Sequence, residues 1–127
     1  LHKPCIQPGS RDYNTQCLIS TMKNPHINII GHPDDGRYMV DMEAVVQAAK
    51  ENHRLIELNN TSLTPGSSRI HANENDRILL PLCAEYQVPV IMDLDIGHMA
   101  PMMPVVTGAM AKAHVQGNTF VLDYEWR

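Results

Sequence analysis

Two apolar segments that end in polar residues decide the fold. Residues 27–31 read Ile-Asn-Ile-Ile-Gly and are followed by His32-Pro33-Asp34-Asp35, and residues 55–58 read Leu-Ile-Glu-Leu and are followed by Asn59-Asn60. Short, mainly apolar runs of this kind are typical of strands buried on both faces. Residues 88–93 form a third such run. We therefore expect three buried strands with polar residues at their C-terminal ends.

Helical segments alternate with these strands. Apolar residues recur at helical spacing over residues 13–23, where Asn14 or Thr15 could cap the start, and over a helix capped by Asp41 whose buried stripe includes Val45, Val46 and Ala49. A third helix is predicted over residues 73–86, with Ile78, Leu79, Leu82 and Cys83 facing inward and Pro81 kinking or dividing it. A fourth is predicted over residues 105–114, before a last apolar run at 120–122.

This alternation predicts parallel strands joined by helical crossovers. The fold class is therefore α/β, either an open sheet or part of a (β/α) barrel. The length of 127 residues predicts one structural unit over residues 1–127. A Gly-rich phosphate loop after a strand is missing from the sequence, which argues against a doubly wound nucleotide-binding domain.

Composition excludes several classes of function. The formal net charge of −4 provides no basic field for a phosphate backbone, which argues against a nucleic-acid partner. Neither a run of about 20 apolar residues nor a signal-peptide pattern occurs, so we expect no membrane association and a cytoplasmic setting. The three cysteines, Cys5, Cys17 and Cys83, fit neither a disulfide framework nor a zinc knuckle, so reduced core thiols are expected.

The predicted strand ends hold the candidate metal ligands. Ligands in parallel α/β folds bind beyond the C-terminal ends of the strands. His32 follows the first strand and precedes a proline, which favours an extended backbone. Asp95 and His98 follow the third strand and combine an oxygen with a nitrogen donor, a mixture suited to zinc, manganese or iron rather than calcium. The alternatives are a capping or core histidine and an aspartate that caps the next helix.

Four further residues are candidates for binding substrate or supporting the ligands. Glu57 alternates with apolar neighbours and would support a ligand, and the amides of Asn59 and Asn60 could hold an imidazole or a phosphate oxygen. Arg69 lies in the long polar segment 59–72 and could bind phosphate oxygens with two N–H groups. Helix caps at the asparagines and a solvated loop around Arg69 are the competing interpretations.

These motifs resemble the polymerase and histidinol phosphatase (PHP) family, and most closely its YcdX-like phosphatase branch. The similarity is ordered along the chain over about residues 1–100. It consists of four segments: His2-Lys3-Pro4 with Asn14-Thr15-Gln16, then Ile29-Ile30-Gly31-His32-Pro33, then Ile56-Glu57-Leu58-Asn59-Asn60-Thr61-Ser62, and last Val88-Pro89-Val90-Ile91 before Asp95 and His98. The last pair is one residue further apart than the Asp-x-His of the family.

The resemblance implies the C-terminal portion of a distorted seven-stranded (β/α) PHP barrel. It implies up to three zinc or manganese ions, with His2 and His32 as ligands of one ion, Asp95 of a second and His98 of a third. A metal-activated water would hydrolyse the phosphate monoester of a small molecule. Exposed strand edges would then lead to association with a missing N-terminal half or with a second copy. The alternative function is a non-catalytic α/β remnant or binding module that has lost the full metal site.

Overall fold

A computed structural model describes residues 8–91 and 110–125 of the chain. The chain divides into two compact units, Leu1–Asp93 and Leu94–Arg127, whereas the sequence suggests one unit over residues 1–127.

The first unit alternates helices and parallel strands. Its elements are α1 (Arg11–Met22), β1 (Ile29–Gly31), a 3₁₀ turn (Gly36–Tyr38), α2 (Met42–Glu51), β2 (Leu55–Glu57), a 3₁₀ turn (Asn60–Leu63), α3 (Ala72–Tyr86) and β3 (Val90–Ile91). The strands form a parallel sheet in the order β1-β2-β3. Ile30 lies opposite Ile56, which in turn lies opposite Val90. The predicted α/β class with helical crossovers is confirmed, but the described sheet has three strands and does not form the seven-stranded barrel.

Local capping decides where the first two helices begin. The Ser10 side chain accepts the Tyr13 N–H, so α1 begins earlier than the predicted caps Asn14 and Thr15 would allow. Thr15 is instead buried, and its hydroxyl accepts the Asp41 N–H at 2.8 Å. Asp41 caps α2 as predicted, since its Oδ1 accepts the Ala44 N–H. The hydroxyl of Thr15 thereby ties α1 to the start of α2.

The core lies between the sheet and the three helices. The prediction for α3 is correct for Leu79 and Cys83, which are buried, but wrong for Ile78, which is 54% exposed. Pro81 does not divide α3, which continues to Tyr86. Both Cys17 and Cys83 are free thiols, but the prediction that they lie in the core is correct for Cys83 and wrong for Cys17, which is exposed. Twelve buried residues make up the core cluster: Met22, Ile30, Val40, Val45, Val46, Ala48, Ala49, Ile56, Leu58, Leu79, Cys83 and Val88.

The described part of the second unit is an antiparallel hairpin. Its strands are β4 (Met110–Gln116) and β5 (Thr119–Glu125), joined by a two-residue turn at Gly117 and Asn118. Gly117 has a φ of +61°, and both favoured two-residue hairpin turns need a positive φ at this first position. The predicted helix over residues 105–114 is therefore wrong where the structure describes it, because a turn glycine and β-branched Val115, Thr119 and Val121 favour paired strands.

In the parts of the chain that the structure describes, none of the helices is long and apolar enough to cross a membrane.

Candidate functional site

The C-terminal ends of β1 and β2 carry the predicted site residues that the structure describes. Five are described: His32, Glu57, Asn59, Asn60 and Arg69. His2, Asp95 and His98, together with the end of the third predicted strand, lie outside the described residues.

His32 lies directly after β1 in a left-handed backbone conformation. Its φ is +40°, so the predicted extended backbone is wrong. The reason is a tight turn in which the Asp35 N–H donates to the His32 carbonyl O at 3.3 Å. A non-glycine residue at positive φ costs about 1 kcal/mol or more, and such strain is concentrated at functional sites. The side chain of His32 is exposed.

Glu57 holds this turn in place. The His32 N–H donates to the carbonyl O of Glu57 at 2.9 Å and to its carboxylate Oε2 at 3.0 Å. A Cβ at Gly31 would lie 3.2 Å from that same Oε2, so the glycine leaves room for the carboxylate. Glu57 therefore holds the main chain of His32 with two oxygens.

The two asparagines after β2 have different surroundings. The Asn59 side chain accepts the Thr61 N–H at 3.0 Å and caps the following 3₁₀ turn. This is the capping role that competed with ligand binding in the sequence. Asn60 is exposed.

Arg69 lies in the loop before α3 and reaches back to the end of β2. Its Nη1 donates to the Ser62 Oγ at 3.1 Å, and its main-chain N–H donates to the Ser67 Oγ at 3.2 Å. The side chain is half-buried, and its charge acts on the carboxylate of Asp34. Arg69 is thus held in a defined position next to the loop that follows β1.

The loop before α3 is clamped against the loop after β1. The Gly36 N–H donates to the Ile70 carbonyl O at 2.8 Å, and Asn75 Nδ2 donates to the Asp34 carbonyl O at 2.7 Å. A Cβ at Gly36 would lie 2.7 Å from the Ile70 O, so this close approach requires a glycine. These contacts bring residues far apart in sequence to one edge of the sheet.

Asp34 and Asp76 are the functional candidates that sequence reasoning missed. Asp34 is 1% exposed and Asp76 is 7% exposed, and the Oδ1 of each has no hydrogen-bond partner in the described structure. Burial raises the pKa of Asp76 to about 6, and the neighbouring charge of Asp34 adds to the shift. Burial also raises the pKa of Asp34, although His32 and Arg69 oppose this. Asp34 was visible as a polar residue at a strand end, but nothing in the sequence marked Asp76 as buried.

Asp35 has a structural role beside them. Its side chain accepts the Arg37 N–H at 3.1 Å and forms an ion pair with the Arg37 guanidinium. Burial would raise the pKa of Asp35, but the bonds from Arg37 outweigh it and lower the pKa below its ordinary value. The pair stabilises the turn that positions Asp34.

Within residues 8–91 and 110–125, no group of three or more His, Cys, Asp or Glu side chains is placed to hold a metal ion. Of the four ligands predicted from the sequence, His32 is the one inside this region, and its exposed imidazole could supply one nitrogen donor. A complete set of ligands would need donors outside the described residues.

Comparison with a family model gives a different assignment from the one the motifs suggested. Residues 57–113 match the LD-carboxypeptidase C-terminal domain. The predicted membership of the polymerase and histidinol phosphatase family is therefore wrong. The physical reason is that the quoted motifs are short sets of His, Glu and Asn at strand ends, which any parallel α/β sheet can present.

Curated relatives are phosphatases by name. The chain is 40% identical over 95 residues to a "Probable phosphatase" of Clostridium novyi, and 44% identical over 95 residues to one of Caldicellulosiruptor saccharolyticus. Both alignments cover 75% of this chain and 38% of the relative. A "Probable phosphatase" of Thermoanaerobacter is 34% identical over 116 residues, which cover 86% of this chain and 46% of the relative. The chain thus spans less than half the length of these relatives.

Proposed function

We propose that this chain is part of a hydrolase that cleaves a phosphate monoester of a small molecule. The names of the relatives support this, because they are phosphatases at about 40% identity over three quarters of the chain. The substrate would bind at the C-terminal ends of β1 and β2, the edge where ligands bind in parallel α/β folds.

One observation carries the position of this site. The Gly36 N–H donates to the Ile70 carbonyl O at 2.8 Å, which brings the segment that holds Arg69 to the loop that follows His32, and the charges of both side chains act on Asp34. An arginine presents a planar fork of N–H donors that matches two phosphate oxygens. Arg69 would bind the phosphoryl group and Ser62 would hold its guanidinium in place.

The proposal includes zinc or manganese as cofactor, with His2, His32, Asp95 and His98 as ligands. The exposed imidazole of His32 at the end of β1 fits this role as one donor. When bound, the metal would supply a hydroxide by lowering the pKa of a water molecule. Glu57 would act only through His32. It would fix the main chain of His32 so that the imidazole ring points in one direction.

The proposal also includes the class of substrate and the partners of the chain. The net charge of −4 favours a small phosphorylated molecule over a nucleic acid. The three-stranded sheet would be continued by the rest of a longer protein, or would associate with a second copy, because an open parallel edge has unpaired main-chain groups.

A carboxypeptidase is the second candidate, and the family match over residues 57–113 favours it. The two candidates differ in the bond that is cleaved. A carboxypeptidase would release an amino acid from the C-terminus of a peptide, whereas a phosphatase would release inorganic phosphate from p-nitrophenyl phosphate. Both assays on the same preparation would distinguish them.

The test compares two histidines at opposite ends of β1. His32→Ala removes the proposed ligand, while His26→Ala removes an exposed histidine that precedes the strand. In the full protein that contains this chain, we expect His32→Ala to lower phosphatase activity by about 100-fold, since metal sites depend on each donor. His26→Ala should keep the wild-type rate. Equal activities of the two variants would refute the role of His32.

A further inference from the structure

The carboxylates of Asp34 and Asp76 form a buried acidic pair on two different elements. Asp34 lies in the loop after β1, and Asp76 lies in α3. Each is more than nine-tenths buried, and in the described structure the Oδ1 of each lacks a hydrogen-bond partner. Buried polar atoms are almost always paired, so an unpaired oxygen in each of two neighbouring carboxylates points to a missing ligand such as an ion.

The two carboxylates cannot move apart easily. Asn75, the residue before Asp76, donates from Nδ2 to the Asp34 carbonyl O at 2.7 Å. The Gly36 N–H donates to the Ile70 carbonyl O at 2.8 Å, and this glycine has no room for a side chain. The loop after β1 is thereby fixed to the segment that leads into α3, and the pair is held together despite its like charges.

Among the described residues, the charge of this pair is compensated at Asp34 and not at Asp76. The charges of His32 and Arg69 act on the Asp34 carboxylate. The charge that acts on Asp76 is that of Asp34 itself, which has the same sign. A single proton shared by the two carboxylates would remove one of the two negative charges, whereas a divalent cation would neutralise both and bind an oxygen of each.

From this geometry we infer that Asp34 and Asp76 bind a divalent cation with hard, oxygen-preferring chemistry, Mg²⁺ or Mn²⁺. Magnesium is commonly held by one or two carboxylates, with water or other oxygens completing its shell. A two-carboxylate site therefore suits it, although the described residues contain no group of three acidic, histidine or cysteine donors. The inference does not require phosphatase activity, and neither Asp34 nor Asp76 is among the proposed ligands of the zinc or manganese ion.

Calorimetric titration of the metal-free protein with MgCl₂ would test the inference. Asp76→Asn keeps the shape of the side chain and removes its charge, and Asp12→Asn makes the same change at an exposed position of α1. We expect saturable Mg²⁺ binding in the wild type and in Asp12→Asn, and at least about tenfold weaker binding in Asp76→Asn. Equal affinities in Asp76→Asn and Asp12→Asn would overturn the inference.

Two further measurements separate this site from the proposed catalytic metal. His32→Ala should keep its Mg²⁺ affinity, and loss of Mg²⁺ binding in that variant alone would assign the ion to the strand-end ligands and refute the Asp34–Asp76 site. If Asp76→Asn does not fold, the effect of Mg²⁺ on the thermal unfolding of the wild type tests the inference instead. Millimolar Mg²⁺ should raise its midpoint of thermal unfolding, because a ligand that binds the folded state stabilises it. An unchanged midpoint would count against the site.

Discussion

The main-chain N–H of His32 donates to two oxygens of one residue, the carbonyl O of Glu57 at 2.9 Å and its carboxylate Oε2 at 3.0 Å. The first bond belongs to the parallel pairing of β1 with β2, in which Gly31 lies opposite Glu57. The second is an additional side-chain contact. It ties the strained turn after β1 to the end of β2, and so connects the proposed ligand to the sheet.

Glu57→Ala should therefore impair both stability and activity. Loss of a hydrogen bond to a charged acceptor lowers the free energy of unfolding by about 1 to 3 kcal/mol, as measured by urea unfolding. We expect kcat for p-nitrophenyl phosphate to fall more than KM rises, because the change misplaces His32 and leaves Arg69 in position. Glu57→Gln keeps an acceptor oxygen and should lie between Glu57→Ala and the wild type.

The exposed Glu85 provides a matched control for this experiment. Glu85→Gln removes the same charge from the outer surface of α3 and should leave kcat unchanged. A Glu57→Ala variant with wild-type stability and kcat would show that the bond to Oε2 has no role in positioning His32.

Two substitutions of His32 should separate the energetic cost of its backbone conformation from the role of its imidazole in activity. Its φ of +40° is accessible to glycine without cost but not to alanine. We expect His32→Gly to be more stable than His32→Ala by about 1 kcal/mol in urea unfolding, while both lose phosphatase activity. If the two variants are equally stable, the left-handed turn is not retained in solution. Activity in either would exclude His32 as a ligand.

His32 and Glu57 also show how much of the fold and of the candidate site could be predicted from the sequence. Apolar runs and helical spacing were enough to predict the parallel α/β order and to place His32 and Glu57 at strand ends, because burial imposes those patterns. The turn after β1 could not be predicted, since it depends on a bond from a strand 25 residues away in sequence. Asp76 was missed for a similar reason: it follows Asn75, whose side chain bonds to the Asp34 carbonyl O 41 residues away, and such a contact leaves no periodic signal.

The hairpin was mispredicted for a different reason. Residues 110–114 have helix-forming Met, Ala and Lys, so their local preference predicts a helix, whereas the turn at Gly117 and the β-branched residues beyond it favour strands. Pairing with Thr119–Glu125 overrides the local preference. The short motifs likewise suggested a family that the broader match over residues 57–113 contradicts.

Arg69→Ala should mainly weaken substrate binding. A charge-assisted hydrogen bond contributes about 1.5 to 3 kcal/mol, so we expect KM for a phosphate monoester to rise about 10- to 100-fold. Arg69→Lys keeps the charge but not the planar fork, and it should recover part of the loss. Arg77→Ala, at an exposed position of α3, is the control and should leave KM unchanged. A normal KM in Arg69→Ala would place the phosphate site elsewhere.

The stability of the metal-free protein should depend on pH through Asp76. Its pKa is about 6 in the folded protein and 3.8 when unperturbed, so the folded state binds more protons than the unfolded state between these values. Stability from this group is therefore greatest below about pH 4 and falls as the pH rises through about 6. Allowing for partial screening by solvent, the loss is on the order of 1 to 2 kcal/mol.

Asp76→Asn isolates this contribution from the other titrating groups. Urea unfolding in the presence of a chelator should show that the variant gains stability over the wild type at about pH 7 and loses that advantage at about pH 4, where the wild-type carboxyl is protonated. Asp12→Asn should not gain stability at about pH 7, because Asp12 is exposed and lies in the first turn of α1, where a negative charge is favourable. A difference between wild type and Asp76→Asn that is the same at both pH values would mean that Asp76 ionises in the folded protein as it does in the unfolded chain.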